Sequence, residues 1–324
     1  MKRVAGGFIA LILLLVLVFL GTKSYFFSIG YKQPIFEDER GIRYISRVVD
    51  KTFQILDAQG EWQDSFLAGV NIGLGIPGAF PGEYAISYET YFQWFTQIAR
   101  MGSNTIRVYT PQTPGFYQAL YEYNRLAATP LYLLQGVYMD ENDVRRYSDV
   151  FAPGSIAIRD MSQDIIDCVN MLHGNAVISE KTGKASGVYR YDVSEYVIGW
   201  ILGIECEAHL VEGTNLAHPE MTSFEGEYVY AKDVSPFEVF IAQMKELAIA
   251  YETENYRMQR PVAFSNWPTT DPLKHPNEPY PEEDSMEIDV DKIKAKPSFA
   301  PGFFASYHVY PYYPDFLNFP SDDP

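Results

Sequence analysis

One carboxylate stands out by where it falls. The segment Gly199-Trp200-Ile201-Leu202-Gly203-Ile204-Glu205 is apolar up to its last residue, so the charge at its end must face a polar rim or carry a heavy desolvation cost. Partial burial raises the pKa of a carboxyl, and a general acid working near neutrality requires such a rise. Glu205 is therefore a candidate reacting carboxylate, with a structural or ligand-binding carboxylate as the other reading. Glu207, two residues on and on the same side of an extended chain, competes for the role. Five further rim positions follow strand-like segments: Asn71, Arg107 with Tyr109, Asp140, Asn266 with Trp267, and His308 with Tyr310. These types bind or orient polar groups, and we expect them to bind substrate around Glu205. Arg107 suits pairing with a structural carboxylate as well as orienting a reacting one. His308 suits a ligand hydrogen bond or a satisfied place on the rim. Trp267 is the best stacking residue, because an aromatic face fits the apolar face of a hydroxylated ring. The run Tyr307, Tyr310, Tyr312, Tyr313 and Phe316, stiffened by Pro311 and Pro314, offers a second platform or simply packs a loop.

Strand-end side chains act together only if their strands are parallel neighbours, and the rest of the chain reads that way. Residues 43–63 form a small hairpin around Asp57-Ala58-Gln59-Gly60. After it, strand and helix signals alternate, which points to an α/β fold with a parallel sheet and helical crossovers. The expected strands are 66–71, 105–109, 131–137, 197–205, 261–265 and 303–309. Ser87 is a good N-cap for a helix that buries Tyr88, Phe92, Phe95 and Ile98 and stops at Gly102. Ser235-Pro236-Phe237-Glu238 is a capping box with proline at the first helical position. A closed (β/α)8 TIM barrel has eight strands. With about six units before Pro324, the expectation is an incomplete barrel over 43–324, short by roughly two units. An open doubly wound sheet is the alternative, weakened by the absence of a glycine-rich phosphate turn after the first strand.

The chain has 324 residues, a formal net charge of −17 and 15% aromatic residues. A field of that sign repels phosphate backbones, so nucleic acid is not an expected partner, whereas a neutral poly- or oligosaccharide meets no such repulsion. Cys168 and Cys206 match no metal spacing and sit in apolar stretches, so two buried free thiols are expected, with a bridge not excluded by the count. No cofactor motif and no metal site are expected. The acidic run from Glu282 to Asp291 lacks the glycine and terminal glutamate of an EF-hand loop. Glu225 and Glu227 read as solvated loop charges. Lys2 and Arg3 precede an apolar run from Val4 to Leu20, followed by Lys23; as a helix it spans roughly 25 Å, enough to cross a hydrocarbon core. Without a small-x-small cleavage pattern, residues 1–23 read as an uncleaved single-pass membrane anchor, a cleaved signal being the alternative. Residues 24–42 read as a tether, and the cationic flank places the rest on the extracytoplasmic side.

Three segments carry a family resemblance. Asp64 to Asn71 resembles the opening of clan-A retaining glycosidases, in which a hairpin feeds a strand ending Gly-Val-Asn. Met101-Gly102-Ser103-Asn104-Thr105-Ile106-Arg107-Val108-Tyr109 is similar to the second strand of the fungal β-1,3-glucanosyltransferases and related enzymes, where an arginine at this place lies near the nucleophile. Gly199 to Glu205 resembles the fourth strand, which carries the acid/base glutamate. The resemblance covers about residues 43–316. It implies a glycoside hydrolase or transglycosylase acting on β-linked glycans by a retaining mechanism with two carboxyls roughly 5–5.5 Å apart. Two departures stand against it. Ile204 occupies the place of an asparagine that bonds the sugar 2-hydroxyl, and the family's nucleophile comes from a seventh strand that the chain does not reach. The rival expectations are a non-catalytic glycan-binding barrel and a surface scaffold, and fold analogy alone does not separate them.

Overall fold

The computed structural model describes residues 11–19, 21, 31–276, 278–280 and 284–310. Its centre is a six-stranded parallel sheet: β1 (Gly69–Ile72), β2 (Thr105–Val108), β3 (Tyr132–Val137), β4 (Val197–Leu202), β5 (Val262–Asn266) and β6 (Ser306–Tyr307). The spatial order is the chain order, each strand pairing in parallel with the next. A doubly wound sheet would place the first strand in the middle. Sequential winding is that of a barrel, and the sheet curls into a half-barrel whose edge strands, among the described residues, are β1 and β6.

Several strands are shorter than their sequence patterns, β4 among them, which ends at Leu202. Phe66 to Ala68 are tied to the Asn104 side chain, which accepts from the Ala68 amide at 3.0 Å and donates to the Phe66 carbonyl at 2.8 Å. That leaves Gly69 as the first ladder residue. The segment 303–309 runs in ladder register with β5 only at Ser306 and Tyr307, with one further parallel bridge from Phe303 to Val262, and the Phe304 ring meets Phe53 edge-on at 5.6 Å.

The crossovers are α1 (Tyr88–Arg100), α2 (Pro114–Leu126), the pair α3 (Glu141–Tyr147) and α4 (Ala157–Leu172), and the pair α5 (Ala208–Ala217) and α6 (Pro236–Tyr256). Their ends follow the local chemistry. Ser87 caps α1 by accepting from the Thr90 amide, and Ser235 and Glu238 form the reciprocal capping box of α6. Among the described residues no α-helix joins β5 to β6. That connection instead returns through Ile293–Ala295, which pairs with Val229–Lys232.

The main core lies between sheet and helices, with Ile106, Leu133, Trp200 and Phe264 facing helix residues such as Phe95, Phe116, Ile165 and Phe240. A second, smaller core of Ile45, Ile55, Ile198 and Met258 sits under the sheet. It is closed by the antiparallel strands Ser46–Val49, Thr52–Leu56 and Trp62–Asp64. Ser46 Oγ donates to the Ile198 carbonyl at 2.8 Å. Since Ile198 lies at the start of β4, this hairpin packs against the amino ends of the strands, opposite their carboxyl ends.

A buried polar network pins the same end. Glu252 on α6 accepts from Trp200 Nε1 at 3.0 Å and Arg260 Nε at 3.0 Å, and lies 2.9 Å from His173 Nε2. Burial opposes its charge, yet Arg260 and His173 hold its pKa down to about 2. Arg260 also donates to the carbonyls of Ser194 and Val197, tying the start of β4 to the segment that leads into β5.

Residues 31–42, expected as tether, rest on the domain in part: Gln33 is buried, and its amide donates to the Leu56 carbonyl at 2.9 Å. Of the expected anchor, residues 11–19 are helical with exposed apolar side chains. Residues 1–10, 20 and 22–30 of the expected anchor and tether lie outside the described residues, and no described helix is long and apolar enough to cross a membrane. Both cysteines are buried free thiols.

Candidate functional site

The turn after β4 aims Glu205. Gly203 sits at φ +83, and a Cβ there would run into the Phe264 ring, so only glycine permits the bend. Ile204 then turns into the core, and the Glu205 side chain emerges at the rim. There its Oε1 lies 2.5 Å from His308 Nδ1 and accepts from the Tyr310 hydroxyl. His308 Nε2 lies 2.7 Å from Arg107 Nη1. Arginine only donates and a carboxylate only accepts, so the geometry assigns His308 the Nδ1–H tautomer and orders the chain from Arg107 through His308 to Glu205. Arg107 also donates to Ser265 Oγ at 3.3 Å and lies 4.6 Å above the Tyr109 ring centre. The Tyr109 ring in turn meets His308 edge-on at 6.1 Å. The His308 amide donates to the Asn266 carbonyl at 2.8 Å. That main-chain bond fixes the approach of β6 to β5 and the height at which His308 stands beside Glu205.

The electrostatics correct one expectation. Burial does push the Glu205 pKa up, but the bonds from His308 and Tyr310 and the charge of Arg107 outweigh it, leaving the carboxyl below its ordinary value. In the free site Glu205 is an anion. Burial and the bond to Glu205 push Tyr310 up to about 12, so it remains a donor. Burial also lowers the pKa of Arg107, against the pull of Tyr109, Glu205 and Tyr310. Among the described residues its buried Nε has no hydrogen-bond partner.

Arg107, Tyr109, Glu205, His308 and Tyr310 thus come together at the carboxyl ends of β2, β4 and β6. The other expected rim residues are placed differently. Asp140 caps α3, its Oδ1 accepting from the amides of Asn142 at 2.9 Å and Asp143 at 3.3 Å. Asn266 is buried; its amide donates to the Ile288 carbonyl at 3.1 Å and its oxygen accepts from Thr270 Oγ1 at 3.0 Å. Trp267 is only 5% exposed, with Nε1 donating to the Cys206 carbonyl at 2.9 Å, so its ring is a wall more than an open platform. Asn71 is in register with Arg107 but exposed on the edge strand β1, lining a cavity of about 330 Å³ with Trp94 and Gln97. Tyr312, Tyr313 and Phe316 lie outside the described residues. Sequence reasoning missed Ser265, whose only signal is a hydroxyl after the apolar residues Val262 to Phe264.

Two cavities adjoin this centre. One, of about 130 Å³, is lined by Arg145, Glu205, Glu207, His209 and Trp267. It brings both candidate carboxylates to one space. The other, of about 340 Å³, lies on the far side of Tyr109. Among the described residues, no group of three or more His, Cys, Asp or Glu side chains is placed to hold a metal ion.

No family model matches the chain, and no curated protein matches it. Among solved structures it is similar to Bacteroides uniformis beta-glucuronidase 2, covalently bound to cyclophellitol-6-carboxylate aziridine, with 13% sequence identity and a TM-score of 0.37. The match covers 67% of this chain and 20% of that one, so the chain spans about a fifth of the length of the protein it resembles. The α/β assignment rests on the strand order, not on that similarity.

Proposed function

We propose that the chain is a carbohydrate-processing half-barrel, a glycoside hydrolase or transglycosylase of β-linked glycans, with Glu205 at its reacting centre. The observation that carries this reading is the chain from Arg107 through His308 to Glu205, closed by Tyr310, at the carboxyl ends of a sequentially wound sheet. As an anion, Glu205 stabilises developing positive charge or takes a proton. To donate a proton to a leaving oxygen it must first be protonated. A second carboxylate brought within roughly 5–5.5 Å raises the pKa of one of the pair and supplies that condition. Glu207, which lines the same small cavity, is the candidate within the described residues. With residues 4–20 as anchor, the site works on the extracytoplasmic side of a membrane.

A non-catalytic glycan-binding barrel is the second reading. It is favoured by the lowered pKa of Glu205 and by Ile204. Turnover of soluble β-glucan and of aryl β-glycosides by the full chain decides between them. In the first reading Glu205→Gln lowers β-glucan turnover by at least about 10²-fold and leaves binding nearly unchanged, while activated aryl substrates, which need less protonation, lose less. Binding without turnover in the wild type selects the second reading. Neither binding nor turnover sinks both.

A further inference from the structure

The larger cavity beside the centre is walled by rings and neutral groups. Its lining includes Ile72, Leu74, Tyr84, Tyr109, Gln112 and Tyr138, and among the described residues no charged side chain lines it. In a chain of net charge −17 that neutrality is selective. The small cavity on the other side of Glu205 is lined by Arg145, Glu207 and His209. A volume of about 340 Å³ falls within the usual range for small-molecule sites, about 300–1,000 Å³.

Three tyrosines define the walls. Tyr109 and Tyr138 follow the adjacent strands β2 and β3, and are 36% and 37% exposed, which leaves ring surface open to a ligand. Tyr84 reaches the cavity from the loop after β1 with its backbone at φ 49, ψ 42, a left-handed conformation that a bulky aromatic residue rarely adopts. Burial raises its pKa, while Thr110 and the backbone of Ala185 engage its hydroxyl. The surrounding loops therefore hold the ring in place against an unfavourable backbone. The edge of the cavity is where that loop meets a second one: a Cβ on Gly82 would lie 3.8 Å from the Gly183 Cα.

Tyr109 is shared with the reacting centre, since the same ring lies under Arg107 and against His308. A chain-like ligand lying across Glu205 therefore has its next unit directed into this cavity. Tyrosine rings present an apolar face and a polar edge, the complement of a sugar ring with an apolar CH face and peripheral hydroxyls. With no cation in the described walls, a carboxylated or sulfated ring would lose its hydration without a counter-charge. We propose that this cavity is a subsite for an uncharged hexose unit of the glycan. The proposal rests on the carbohydrate reading of the site and deepens it.

The test uses the full chain and titration calorimetry with three probes: a β-1,3-linked glucopentaose, a β-1,4-linked glucopentaose and a pentagalacturonate. Tyr84→Gly removes one wall and relaxes the backbone, and Tyr138→Ala removes a partly exposed ring, so neither threatens the fold; thermal melts check this. We expect at least one neutral pentaose to bind the wild type, each variant to weaken it about tenfold, and the uronate to bind more weakly than the neutral pentaose. Turnover of an aryl monoglycoside, too short to fill the cavity, should be unchanged in both variants. Unchanged pentaose affinity in both variants, with Glu205-dependent turnover intact, overturns the subsite and leaves the proposed function standing. A uronate bound as tightly as the neutral probes overturns the neutral class. A wild type that binds none of the three overturns the subsite together with the reading it rests on.

Discussion

Glu252→Gln tests how far the amino end of the sheet depends on one buried charge. Glu252 is 1% exposed and accepts from Trp200, Arg260 and His173. Its folded pKa of about 2 compares with an unfolded value of about 4.3, and the difference corresponds to about 3 kcal/mol at neutral pH. Removing one partner of a buried ion pair costs about 3–5 kcal/mol by independent reasoning, because Arg260 would remain buried and uncompensated. The sign follows from a lowered carboxylate pKa. The contribution is fully present above the unfolded value and is lost as pH falls towards the folded one, so at pH 3 only about half of it remains. The assay is urea denaturation of wild type and Glu252→Gln, followed by far-UV circular dichroism at pH 7 and pH 3. We expect a gap of about 3 kcal/mol at pH 7 that narrows at pH 3. A gap below about 1 kcal/mol at pH 7, or one that widens on acidification, refutes the reasoning. Because Arg260 ties β4 to the segment that leads into β5, weaker glycan binding should accompany the loss.

Arg107→Gln removes the charge that helps hold the Glu205 carboxyl below its ordinary value; the Glu205 pKa should rise, as read by carboxylate-selective NMR, and an unmoved value would mean that His308 and Tyr310 suffice. Ser235→Ala deletes half of the capping box of α6 and should cost about 1 kcal/mol in chemical denaturation; no change would show that Pro236 and tertiary packing alone start the helix. Deleting residues 4–20 from the full chain should move the protein from the carbonate-resistant membrane fraction to the soluble one. If the undeleted chain is already soluble, the anchor reading is wrong.

The residue order alone determined whatever depends on neighbours within a few positions. The alternation of strand and helix signals, the Ser87 and Ser235 caps and the apolar body of β4 are local properties, and they were enough to place a parallel sheet and to single out Glu205. Locality also explains why some of the expected rim residues are placed differently. Asp140 carries two local signals, the end of a strand and the start of a helix, and the backbone amides of Asn142 and Asp143 claim its carboxylate. Trp267 and Asn266 follow a strand end as expected, but both are buried, Asn266 bonded to the Ile288 carbonyl in the long return from β5 and Trp267 to the Cys206 carbonyl after β4. The protonation of Glu205 was beyond sequence reasoning, because its pKa is set by His308 and Tyr310, which lie 103 and 105 residues away, and by Arg107 from another strand. Burial alone, which sequence suggests, pushes that pKa up; only the fold supplies the donors that push it down. The same holds for Tyr84, whose left-handed backbone has no signature in its residue type. Short-range pattern selects which elements form, and long-range contact decides which charges and rings meet between them.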